Sequence, residues 1–116
     1  MQIEEILNER EEQYGNFLNR SKISQDFKTL IHNGESYRLL KADQKEALEM
    51  IATKMGRIVN GDPDYLDSWL DIQGYCQLII DRVCKDKIAL DNAVDMYVVE
   101  GVPKETAIQL QRSDDE

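Results

Sequence analysis

Two amphipathic stripes on either side of one short break constrain this chain most. From 43 to 59 the apolar residues are Leu48, Ile51, Ala52, Met55, Ile58 and Val59. Their spacing follows the helical period. From 63 to 84 a second stripe holds Leu66, Trp69, Ile72, Cys76, Ile79, Ile80 and Val83. Between the stripes stands Asn60-Gly61-Asp62-Pro63. Asp62 is placed to cap the second helix, and Pro63 to open it. Helices joined by so short a loop are expected as antiparallel neighbours. The expected fold class is therefore all-α, a helical bundle built around an antiparallel hairpin of about 42–60 and 63–84.

The flanks also read as helix. Ile3, Ile6 and Leu7 sit at helical spacing in 2–13, and Tyr14-Gly15-Asn16 interrupts them. A second stretch, 17–31, puts Ile23, Phe27, Leu30 and Ile31 on one stripe and stops at Asn33-Gly34. A connector fills 35–40. A further helix is expected over 88–100, with Leu90, Val94, Tyr97 and Val98 inward and Gly101 as its stop. A short last helix over 103–112 and a frayed tail at 113–116 complete one helical domain, 1–116.

Composition narrows the function classes. The chain has 116 residues and a formal charge of −9, from 23 acids against 14 bases. Such a surface repels phosphate backbones, so direct nucleic-acid binding is not expected. No apolar run approaches the roughly 18 residues of a membrane helix. The acidic start, MQIEEILNEREEQ, is no signal peptide. Cys76 and Cys84 fall in one predicted helix, about 12 Å apart, too far for a disulfide. Two reduced cysteines and one histidine, His32, make no zinc set and suggest a cytosolic setting. No catalytic motif is recognisable, so no catalytic residue is assigned.

What remains is carboxylate geometry. Glu46 and Glu49 are three apart on the first helix of the hairpin; Asp64, Asp67 and Asp71 are three and four apart on the second. Acids at these spacings share a helix face. Glu46, Glu49, Asp67 and Asp71 are the candidate ligands for Mg²⁺, which takes oxygen donors. Lys54 and Arg57 are the candidate partners for nucleotide phosphates, and Tyr75 for the base. Glu46 and Glu49 also read as a solvated face, and Asp67 and Asp71 as partners of Lys54, Arg57 and Arg82. Gly74 costs a helix about 1 kcal/mol, so it needs a reason. With Tyr75 and Leu78 it marks a second contact face, and a homo-oligomer is expected. Trp69, within the main stripe, is expected in the core. Tyr14 reads either as a bend marker or as a site residue.

Three segments together resemble a known pattern. They are Arg10 with Tyr14-Gly15-Asn16-Phe17, then Lys54-Met55-Gly56-Arg57-Ile58, then Asp67-Ser68-Trp69-Leu70-Asp71-Ile72-Gln73-Gly74-Tyr75. The chain resembles a family of small uncharacterised phage proteins over roughly 9–83. More distantly, the hairpin is similar to the all-α NTP pyrophosphohydrolases of the MazG and dimeric dUTPase type. Those enzymes hold Mg²⁺ with Glu-x-x-Glu on one helix and Glu-x-x-Asp on the next. The resemblance maps Glu46 and Glu49 onto the first pair and Asp71 onto the last acid. Ser68 stands where the remaining Glu would be, one residue after Asp67, and Asp64-x-x-Asp67 is an alternative match.

Three functional readings follow. The first is a non-catalytic interaction or modulator protein, acting on a host or phage protein in the host cytoplasm. The second is a Mg²⁺-dependent nucleoside triphosphate binder or pyrophosphohydrolase. The third is an acidic mimic of nucleic acid, although the acids are not gathered in one run.

Overall fold

The structure is a computed structural model that describes residues 2–99, with side chains through residue 94. Its helices are α1 (Ile3–Tyr14), α2 (Phe17–His32), α3 (Ala42–Asn60) and α4 (Leu66–Val99), with a 3₁₀ turn at Tyr37–Leu39. The described residues contain no strand. The described residues are all-helical, as the periodicity predicts.

Local chemistry accounts for the boundaries. Gly15 ends α1 at φ +79, and its N–H donates to the Glu11 carbonyl at 2.7 Å. Asn16 caps α2, its side-chain oxygen accepting from the Asn19 N–H at 3.2 Å. The Gln44 side chain accepts the Lys41 N–H at 2.9 Å and closes the start of α3. The Gly61 N–H donates to the Arg57 carbonyl at 3.0 Å and finishes it.

Two boundaries differ from expectation. Asp62 does not cap a helix opening at Pro63. Its side chain accepts the Asp64 N–H at 2.9 Å, and its carbonyl accepts the Tyr65 N–H at 3.2 Å. A short Asp side chain reaches the amide two residues on and builds a turn. The Trp69 indole N–H pins that turn by donating to the Pro63 carbonyl at 2.8 Å, and α4 starts at Leu66. The second difference is that α4 runs without a break from Leu66 to Val99, past Cys84. Neither Gly nor Pro occurs between Gly74 and Gly101, and Lys85-Asp86-Lys87 is polar without being a helix breaker. The expected helix at 103–112 and the tail at 113–116 lie outside the described residues.

Two compact units follow each other in sequence, Met1–Gln77 and Leu78–Glu116, the boundary falling within α4. In the first unit α2 packs along α3, and α1 touches both. The sequence places the centre of the fold at the 42–60 and 63–84 pair; the closest packing is instead α2 on α3. The reason lies in residue size. Ser24 on α2 and Ala47, Ala52 and Gly56 on α3 are buried. A methyl group at Gly56 would lie 3.1 Å from the Arg20 carbonyl and 3.4 Å from Ser24 Cβ. Only small residues permit so close an approach of two backbones. Leu48, Met55 and Val59 of the predicted stripe stay exposed. Trp69, expected in the core, is 52% exposed. α3 meets α4 through an ion pair, Lys54 Nζ to Asp71 Oδ2 at 2.9 Å.

Candidate functional site

Of the four carboxylates singled out in the sequence, three have other company. Glu49 Oε1 lies 3.1 Å from His32 Nε2. Asp67 accepts the Tyr65 hydroxyl at 3.2 Å. Asp71 pairs with Lys54, and Glu46 is exposed. Among the described residues, no three His, Cys, Asp or Glu side chains converge as a metal set. Of the contact residues, Gly74 is exposed with nothing within 4 Å of a built Cβ. Tyr75 is half-buried, and Leu78 is exposed. Cys76 and Cys84 are free and exposed.

The most organised polar cluster lies elsewhere, around Tyr14. The break after α1 and the break after α3 lock together to build it. Asn60 Nδ2 donates to the Asn16 carbonyl at 3.1 Å and the Tyr14 carbonyl at 3.4 Å. The Asp62 N–H donates to the Gln13 carbonyl at 2.8 Å. These bonds hold the Tyr14 ring beside the last turn of α3. There the Arg57 guanidinium carbon sits 4.4 Å from the ring centre. Arg20, at the end of the first turn of α2, places its own guanidinium 5.2 Å from the same centre and 5.1 Å from that of Phe17. Tyr65 closes the cluster edge-on to Tyr14, centroids 5.6 Å apart.

The electrostatics are unusual for so acidic a chain. The Nε atoms of Arg20 and Arg57 are buried and have no hydrogen-bond partner. Burial, then the neighbouring Arg57 and Arg10 charges, hold Arg20 below the usual guanidinium range; Tyr14 opposes them. Loss of hydration and the Asp67 hydrogen bond push the Tyr65 phenol above its ordinary value. A cavity of about 180 Å³ opens between α2 and α3, lined by Phe17, Arg20, Ser24, Lys28, Thr53 and Arg57 among others.

Sequence reasoning singles out Arg57, Arg10 and Tyr14 but not Arg20. A signal for Arg20 exists. It shares the i, i+4, i+7 and i+11 face of Ser24, Phe27 and Ile31, so a charge stands in line with inward positions.

No curated protein and no solved structure matches the chain. A family model described as Domain of unknown function (DUF6378) matches residues 2–83. That span takes in α1, α2 and α3, the Tyr14 cluster and the first half of α4. It is most of the chain, which therefore belongs to the DUF6378 family, a domain of unknown function.

Proposed function

We propose that this protein is a non-catalytic interaction module that self-associates along α4. One observation carries the reading: Leu66, Trp69 and Leu70, large apolar residues in the first two turns of α4, are all exposed. Exposed apolar clusters of this kind mark association surfaces. The occupant we favour is a second copy. α4 has 34 residues, and helices well beyond about 25 are characteristic of coiled coils and helical arrays. Leu66, Trp69, Gln73, Cys76, Ile80 and Val83 also advance by alternating steps of three and four, the coiled-coil spacing. Gly74, with open space around it, lets a second helix approach closely. A host or phage protein partner would use the same exposed residues.

The pairing of Asp71 with Lys54 and of Glu49 with His32 favours this reading over Mg²⁺-dependent hydrolysis of the MazG and dimeric dUTPase type. Sedimentation velocity on the full chain tests it. Assembly that grows with concentration, and weakens in Leu66→Lys, is expected. A panel of nucleoside triphosphates with Mg²⁺ or Mn²⁺ should show no turnover. Turnover abolished by Asp71→Asn would return the chain to the hydrolase reading.

A further inference from the structure

Some cations of this acidic chain pair with acids. Here Lys22 pairs with Asp26, Lys54 with Asp71 and Arg82 with Asp86, each at 2.9 Å. Arg20 and Arg57 are held differently. Neither has an ion-pair partner among the described residues, although the chain carries 23 acids. Instead both guanidiniums lie within 5.2 Å of the centre of one tyrosine ring. Arg57 raises the cost of the Arg20 charge, and each keeps a buried Nε–H without an acceptor. A buried donor left unsatisfied is costly, and the Tyr14 ring face offsets part of that cost. Two adjacent guanidiniums without acid partners favour an anion as their ligand.

The surroundings define the anion. Two guanidiniums offer forked donors, which match the oxygens of a phosphate group. Lys28 lines the same cleft as a third cation, while the Ser24 hydroxyl donates to Thr53 Oγ1 at 3.4 Å and the Thr53 hydroxyl to the Glu49 carbonyl at 3.2 Å. At about 180 Å³ the cavity falls below the roughly 300 Å³ at which pockets for whole organic ligands begin. It suits a phosphate head rather than a complete nucleotide. A second hollow of about 440 Å³ shares Phe17 and Arg20 with it, and is also lined by Leu7, Arg10, Glu11 and Leu18. Glu11 is the acid that lines this hollow, and it does not line the smaller cleft.

We propose that the cleft between α2 and α3 binds the phosphate group of a phosphorylated small molecule through Arg20 and Arg57, with the organic part lying over Phe17 toward Arg10. Tyr14 is a positioning residue that holds both guanidiniums. The site is independent of what covers α4. It differs from the phosphate contact expected from the sequence, because Lys54 is committed to Asp71 and Arg20 takes its place.

Isothermal titration of the full chain at constant ionic strength in chloride buffer tests this. Inorganic phosphate, pyrophosphate, a sugar phosphate, a nucleotide and the matching nucleoside serve as probes. Pyrophosphate and at least one phosphate ester should bind, and the nucleoside should not. Arg20→Gln and Arg57→Gln should each weaken binding by roughly tenfold, the worth of one charge-assisted hydrogen bond. Lys54→Gln should leave it unchanged. Should a glutamine variant fail to fold, Arg20→Lys keeps the charge and loses the fork. It should then bind several-fold more weakly, and ³¹P line broadening of pyrophosphate by the wild type should fade with salt. Absence of phosphate and pyrophosphate binding to wild type overturns the proposal. So does equal binding by the Arg20 variants, or a nucleoside that binds as tightly as its nucleotide.

Discussion

Gly15 lies so close to Asn60 that any side-chain carbon on Gly15 would overlap the Asn60 carbonyl oxygen. Gly61 faces Tyr14 in the same way. The two breaks in the chain, 46 residues apart at Tyr14 and Asn60, are thus one structural joint. Gly15 also holds φ +79 with ψ −171, a region essentially reserved for glycine. Gly15→Ala should lower stability by about 2 kcal/mol or more, from strain and overlap together. Gly34→Ala, whose nearest neighbour would be 3.4 Å away, is the control and should change little. Urea denaturation of both variants checks the contrast.

Gly56 and Gly74 make opposite predictions. Gly56 sits where the backbones of α2 and α3 nearly touch, so Gly56→Leu should cost about 2 kcal/mol by overpacking. Gly74 is exposed in a helix, so Gly74→Ala should gain up to about 1 kcal/mol for the isolated chain. Gly74→Leu should also fold in dilute solution yet assemble less well than wild type. Thermal melts at low and high protein concentration separate the two effects.

The Lys54–Asp71 pair joins side chains of unequal exposure, 12% for Lys54 and 48% for Asp71. Removing the carboxylate leaves a mostly covered ammonium without its partner. Asp71→Asn should cost about 1 kcal/mol, discounted for the wet side of the pair. Millimolar Mg²⁺ at constant ionic strength should not raise the wild-type melting temperature, since Asp71 is already engaged. A rise present in wild type and absent in Asp71→Asn would support the metal reading instead.

Tyr65 supplies a pH signature. Its folded pKa is raised, so the neutral phenol is favoured by folding. The associated stability is fully present below the ordinary tyrosine pKa of about 10 and is lost as pH rises through the higher folded value. Ultraviolet difference titration should show a late phase that Tyr65→Phe removes and that Asp67→Asn shifts to lower pH.

The helix ends marked by glycine and asparagine at Gly15, Gly34 and Gly61 were legible, whereas Pro63 did not open the next helix. Tyr14-Gly15-Asn16 and Asn33-Gly34 separate helices as read, and α3 matches its predicted span within a residue. Asp62 was misleading because its side chain serves an Asx turn as readily as a helix cap. The buried face of α3 was obscured for another reason. Periodicity weights large apolar residues, whereas α2 approaches over Ala52 and Gly56. Tyr14 and Arg57 were each visible in the sequence, but their meeting depends on the Asn60 bridge to Asn16, which no local pattern encodes.

Trp69 is the single tryptophan of the chain, so its fluorescence reports on α4 directly. In the isolated chain it is 52% exposed. If a second copy covers this face, its emission should shift to the blue, and acrylamide should quench it less, as concentration rises from low to high micromolar. Leu66→Lys should suppress both changes. Emission and quenching that stay constant across that range would contradict self-association along α4.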